Sequence, residues 1–198
     1  MKYDKFSKIE SIKEIKKYSL PHPETIFIFD FKKQEKEIDK FLKGKKEVSI
    51  RSDEKGNPRF CPNIPMCQSP KAKPLIEKIN KQGYAVILHD YLPVKKGRIA
   101  AGHILILKNH ILMELIGSGP VSRLDRQGAV EEIIKFKKSN LAEVEHFGRR
   151  LAKVGVFKNV AKLVKNIPCF RVLDFALMEK GVYFYQIQND KTAKGLRD

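Results

Sequence analysis

The stretch FRVLDFALMEKGVYFYQIQ, residues 170–188, carries two apolar runs, 170–178 and 182–187, around the break Glu179-Lys180-Gly181. Short runs rich in Val, Ile, Phe and Tyr, parted by a three-residue turn that holds glycine, predict a β-hairpin. A second strand pair is predicted upstream, at 98–107 and 111–116, around the turn Lys108-Asn109-His110. Hairpins join antiparallel neighbours, so their presence in the second half argues against a doubly wound parallel sheet. The fold class that follows is α+β with mostly antiparallel sheets.

Working outward, further strands are predicted at 25–31 (TIFIFDF), 47–52 (EVSIRS) and 84–88 (YAVIL). A helix is predicted over 2–18, where Phe6, Ile9, Ile12 and Ile15 recur every third position. Another is predicted over 32–42, with Gly44 beyond its end, and a short one over 74–82, with Pro74 in its first turn and Gly83 closing it. Two more are expected at 129–138 and 141–165, the second weakened by Gly155. Residues 53–74 contain Pro58, Pro62, Pro65 and Pro70 with Gly56, Asn57 and Asn63, and read as a long loop.

The composition narrows the function classes. With 42% apolar and 9% aromatic residues the chain has the material for a core, which excludes an intrinsically disordered tail. The formal net charge of +17 is concentrated. Residues 135–165 hold the bases Lys135, Lys137, Lys138, Arg149, Arg150, Lys153, Lys158, Lys162 and Lys165 against the acids Glu143 and Glu145. Such a segment suits a large anion, a nucleotide or a nucleic acid, and a solvated surface would look the same. Cys61, Cys67 and Cys169 cannot form an even disulfide framework, which suits a reducing compartment. The spacing of Cys61 and Cys67 is wider than the usual zinc pair, and no second pair follows. No apolar run approaches the ~20 residues of a membrane span, and no signal-peptide core is visible, so a cytoplasmic protein is expected.

Four segments in order resemble the ATP-grasp superfamily. Ser19-Leu20-Pro21-His22-Pro23-Glu24-Thr25 is similar to the loop before its first strand. Val48-Ser49-Ile50-Arg51-Ser52 resembles the "VxVRSS" strand of the phosphoenolpyruvate synthase and pyruvate phosphate dikinase branch. Val86-Ile87-Leu88-His89-Asp90-Tyr91-Leu92 resembles the strand and hinge "viiQEyi". Leu173-Asp174-Phe175 with Val182-Tyr183-Phe184-Tyr185-Gln186-Ile187-Gln188 is similar to the closing strand pair "iDf…g.vyvlEiN". Ala101-Gly102 and the run Met113-Glu114-Leu115-Ile116-Gly117-Ser118-Gly119 resemble intervening segments of the same branch.

The resemblance implies two lobes, about 1–92 and 93–198, each with an antiparallel sheet, and a nucleotide cleft between them. It implies ATP and Mg²⁺ as cofactors and an unidentified acceptor as partner. Arg51 would contact the phosphates, and its permanently charged fork suits that anion. Leu88, His89, Asp90 and Leu92 would form the adenine hinge. Glu114 would lie near the phosphates or simply pair with a lysine. Asp174, Gln186 and Gln188 would hold the metal. The chain departs from the superfamily at Gln186, where most members have Glu, and at Gln188, where many have Asn. The branch itself carries Gln at the first position but Arg at the second. The site thus keeps one clear carboxylate, and a lost negative charge weakens a Mg²⁺ site. The 198 residues also leave no room for the branch's phosphohistidine and pyruvate-binding domains. The reaction implied is phosphoryl transfer or carboxylate activation. The alternative is a nucleic-acid-binding module that uses 135–165 without catalysis.

Overall fold

A computed structural model describes residues 7–54, 61–93, 97–117, 124 and 128–189. The described strands form two antiparallel sheets, and the chain divides into two compact units: Met1–Lys13 with Pro23–Leu92, and Glu14–His22 with Pro93–Asp198. The architecture is α+β, as expected.

In the first unit, β1 (Thr25–Ile28), β2 (Glu47–Asp53), β3 (Asn63–Gln68) and β4 (Ala85–Asp90) make a sheet in the order β1-β4-β2-β3. Ile28, Val48, Ile50, Val86 and Leu88 alternate onto one face, as the two-residue period requires. There they pack with Ile38 and Phe41 of α2 (Glu35–Leu42) and Ala72, Ile76 and Ile79 of α3 (Ser69–Lys81). On the other face, Ala85 and Ile87 meet Ile9 and Ile12 of α1 (Ser7–Lys17). The start of α1 is tied down by Asp53, whose carboxylate is buried and accepts the backbone N–H groups of Lys8 (2.8 Å) and Ile9 (3.0 Å). These are amides that a helix leaves without internal partners, so β2 supplies the N-terminal cap from 44 residues away.

The second unit holds β5 (Arg98–Ile106), β6 (His110–Ile116), β7 (Glu132–Lys137), β8 (Glu143–Gly148), β9 (Arg171–Met178) and β10 (Gly181–Asn189). Their order is β10-β9-β5-β6-β7-β8. One face buries Ile104, Ile106, Met113, Leu115, Ile134, Phe136, Leu173 and Phe175 under Phe157, Val160, Ala161 and Val164 of α4 (Val154–Val164).

Two expectations fail. The predicted loop over 53–74 contains β3 and the start of α3, which begins at Ser69 rather than Pro74. Pro65 is tolerated because β3 is an edge strand, and Pro70 sits in the first helical turn where its missing N–H costs nothing. The predicted helix over 129–138 and the first part of that over 141–165 are instead the hairpin β7–β8. Glu132, Ile134 and Phe136 alternate inward with period two. The turn has no glycine to announce it, because Leu141 itself adopts a left-handed φ of 57° and Asn140 accepts the Ala142 N–H. Only the helix at Val154–Val164 survives. Gly117 is described; Ser118 and Gly119 lie outside the described residues.

Candidate functional site

Each unit presents a sheet face on which sequence-predicted side chains gather. In the first, Ser49 pairs with His89, and His89 with Thr25. Directly paired residues share a face, and Arg51 lies two positions beyond Ser49, so it shares that face too. His89 is buried, and its Nδ1–H donates to the Asp90 carbonyl at 2.9 Å. Burial, reinforced by the Arg51 guanidinium, pushes the His89 pKa down to about 4. The imidazole is therefore neutral at pH 7, and Nε2 is left as an acceptor.

Asp90 and Leu88 alternate onto the opposite face. The Asp90 carboxylate pairs with Lys45 at 2.6 Å, and Lys45 also reaches Glu24 at 2.7 Å and lies 4.5 Å above the Phe41 ring. Burial would lower the Lys45 pKa, but the hydrogen bonds to Asp90 and Glu24 outweigh it and hold the ammonium above its ordinary value. Leu88 is wholly buried among α2 and α3, and β4 is hydrogen-bonded on both sides. Its backbone groups are thus engaged in the sheet. Leu92, past the end of β4, is half-buried.

In the second unit four polar residues fall in one cross-strand row. Gln186 of β10 pairs with Asp174 of β9, Asp174 with His103 of β5, and His103 with Glu114 of β6. The row stands on the face opposite the α4 core. His103 Nδ1 and Asp174 Oδ1 are 2.9 Å apart, and the Gln186 amide donates to Gln188 Oε1 at 3.3 Å. A β-bulge at Tyr185 re-aims the strand just before Gln186. Beside the row, Tyr183, Ala101, Ala176 and Met178 form a small apolar shelf. His103 has no place in the sequence-based site; its one signal is a lone imidazole inside the apolar run of β5.

The donor set does not fit the Mg²⁺ that the resemblance implies. Magnesium takes hard oxygens and usually one or two carboxylates. Here the one predicted carboxylate is bonded to an imidazole, and the Gln188 oxygen accepts from Gln186. Among the described residues, no three His, Cys, Asp or Glu side chains cluster as metal ligands. That also disposes of a zinc site at Cys61 and Cys67, whose thiols burial pushes up in pKa.

Outside these faces, Glu131 and Glu132 anchor the arginines of the basic segment. Glu132 is wholly buried and accepts the Leu151 N–H at 2.9 Å, with His146 at 3.1 Å and Arg150 at 3.7 Å. Arg150 also forks onto Glu143, holding that carboxyl below its usual range. Arg149 reaches Glu131 at 3.4 Å.

Comparison with solved structures identifies the two-sheet α+β architecture as the ATP-grasp fold. The chain is similar to D-alanyl-alanine synthetase A from Vibrio cholerae, with a TM-score of 0.54, 13% identity, and coverage of 93% of this chain and 55% of that one. It is similar to a RimK-domain ATP-grasp protein from Sphaerobacter thermophilus, with a TM-score of 0.55, 12% identity, and coverage of 96% and 62%. It is also similar to a RiPP-associated ATP-grasp ligase from Chryseobacterium gregarium, solved with ADP and a leader and core peptide. That match has a TM-score of 0.51, 14% identity, and coverage of 91% and 51%. The chain spans between half and two thirds of the length of these proteins. None of the three is named as a phosphoenolpyruvate synthase or pyruvate phosphate dikinase. No family model and no curated protein matches the chain. No described helix is long and apolar enough to cross a membrane.

Proposed function

We propose that the chain binds ATP in the manner of its fold and serves a carboxylate-activating ligase. The observation that carries this reading is the ATP-grasp fold together with the row Gln186–Asp174–His103–Glu114, polar side chains lined up on the coreless face of the larger sheet. The ligase class, rather than a dikinase, is favoured because the similar structures include a D-alanyl-alanine synthetase and a RiPP-associated ligase.

Arg51 supplies the permanent positive charge for the phosphates. Phosphoryl transfer depends mainly on positioning and charge neutralisation, so a fixed guanidinium is the strongest contribution a single side chain here makes. Neutral His89, a buried hydrogen-bond acceptor two strand positions from Arg51, is suited to an amino or hydroxyl donor of the nucleotide. Carboxylate activation moves the γ-phosphoryl of ATP onto a carboxylate oxygen, giving an acyl phosphate and ADP. A nucleophile then displaces phosphate. His103 holds Asp174 in place on the face where that carboxylate would act. No step is assigned to Mg²⁺. The nucleic-acid alternative loses its main support, since Arg149 and Arg150 are occupied by Glu131, Glu132 and Glu143.

The test is equilibrium ATP titration of the wild type, Arg51→Ala and Asp174→Asn. Saturable binding that weakens at least tenfold in Arg51→Ala is expected, with a smaller change in Asp174→Asn. A wild type that does not bind ATP, or an Arg51→Ala chain that binds it equally well, overturns the proposal.

A further inference from the structure

The basic segment 135–165 divides when the chain folds. Lys135 pairs with Glu145 at 3.1 Å, and Arg149 and Arg150 are held by the acids described above. Lys137, Lys138 and Lys165 take a different course. With Lys108, Asn109 and Asn166 they line a cleft of about 520 Å³ that has no carboxylate in its wall among the described residues.

Three separate pieces of chain build this cleft: the β5–β6 turn, the β7–β8 turn and the segment just after α4. Lys138 is fixed in two ways, its backbone N–H donating to the Asn109 carbonyl at 2.7 Å and its ammonium to the Ile167 carbonyl at 3.2 Å. Lys108, Lys137 and Lys165 form no ion pair among the described residues, whereas Lys135, Arg149 and Arg150 of the same unit do. The negative end of α4 accounts for Lys165, which caps it, but not for Lys108 of the β5–β6 turn or Lys137 at the end of β7. Four lysines line this one cleft, and a bound anion relieves the repulsion between their like charges.

We propose that this cleft binds a ligand carrying two or three adjoining phosphoryl groups. Four compact, three-donor ammonium groups and two side-chain amides match the many oxygens of an oligophosphate; a single carboxylate would engage one or two of them. Among the described residues no aromatic side chain lines the cleft, which disfavours single-stranded nucleic acid, whose bases are held by stacking. The site is separate from the Asp174 row. Lys108 lies five residues beyond His103, past the end of β5, roughly 16 Å along an extended chain.

The experiment is calorimetric titration with tripolyphosphate and, separately, with ATP. The proteins are the wild type, the double variant Lys108→Ala/Lys137→Ala, and Arg51→Ala. Both lysines are exposed, so the double variant is expected to keep the wild-type melting temperature. Tripolyphosphate affinity should fall about tenfold or more in the double variant, and a tripolyphosphate site should persist in Arg51→Ala. A second ATP equivalent that disappears in the double variant would mark the source as a nucleotide. One ATP equivalent in both proteins, with tripolyphosphate binding lost, would mark it as an inorganic oligophosphate. Unchanged tripolyphosphate binding in the double variant, or its complete loss in Arg51→Ala, overturns the proposal. So does an RNA oligomer that outbinds tripolyphosphate a hundredfold and depends on the same two lysines. Because Arg51→Ala reports on the ATP site alone, failure here is distinguishable from failure of the ligase reading.

Discussion

The two sheets treat their second faces differently. Both bury one face under helices. On the four-stranded sheet, the other face is partly covered by Ile9 and Ile12 of α1, and its polar members include Ser49, Asp53, the guanidinium of Arg51, and His89, whose imidazole burial keeps uncharged. On the six-stranded sheet, the other face carries a connected polar row in which an acid meets an imidazole at 2.9 Å. The first face is built for a fixed positive charge in a dry setting; the second holds a carboxylate whose orientation depends on its neighbour across the ladder. The lesson is that cross-strand register, more than the identity of any one residue, decides which charges can cooperate. Asp90 is adjacent to His89 in the chain, yet it faces the other way and belongs to Lys45.

The comparison can be broken most severely at Gly102, between the register positions of Ala101 and His103. A Cβ there would overlap the Glu114 carbonyl oxygen across the β5–β6 ladder. Gly102→Ala should push β6 away and cost about 3 kcal/mol or more, since the obstacle is backbone and cannot rotate aside. A melting temperature within 2 °C of wild type, as an order-of-magnitude threshold, would show that the row is not held by that close approach.

The dry character of the first face has a pH signature. In the unfolded chain a histidine takes its proton near its ordinary value of 6.5, whereas folded His89 resists to about 4. Between those values the unfolded state binds more protons, so stability falls as pH falls. The contribution is fully present above the unfolded value and amounts to about 3 kcal/mol lost by pH 4. Urea midpoints measured from pH 7.5 to 4 should show this slope, and His89→Gln should flatten it. An equal slope in the variant would place the acid sensitivity elsewhere.

A smaller effect sharpens the same contrast. Asp53→Ala removes the acceptor for the Lys8 and Ile9 amides and should cost about 1–2 kcal/mol, as helix N-caps do. Amide hydrogen exchange should accelerate in the first turn of α1 while β9 and β10 stay protected. Uniform acceleration through both units would mean that the cap stabilises more than the covered face.

Much of the fold is legible in local pattern. The hairpin β9–β10 follows from two apolar runs and a glycine turn, and β5–β6 from the same logic. The hairpin β7–β8 was not legible, because Glu132, an acid facing inward, and Ile133, apolar on the other face, disguise its alternation, and Leu141 occupies a conformation usually left to glycine. Strand β3 was hidden by Pro65, which only an edge position permits. For the site, the motifs drew attention to Arg51, Asp174 and Gln186, and passed over His103. An isolated histidine in an apolar strand carries no mark of the acid that a ladder will set beside it.

From residue order alone come the class of fold, the placement of several strands and the existence of a surplus of positive charge, because periodicity, turn chemistry and composition are local properties. Tertiary structure alone decides which charges remain. Folding pairs Arg149 and Arg150 with acids, turns Asp90 toward Lys45, joins His103 to Asp174 and gathers Lys108 with Lys137, Lys138 and Lys165. Electrostatic partnership falls off over a few ångströms in space, and sequence separation does not measure that distance.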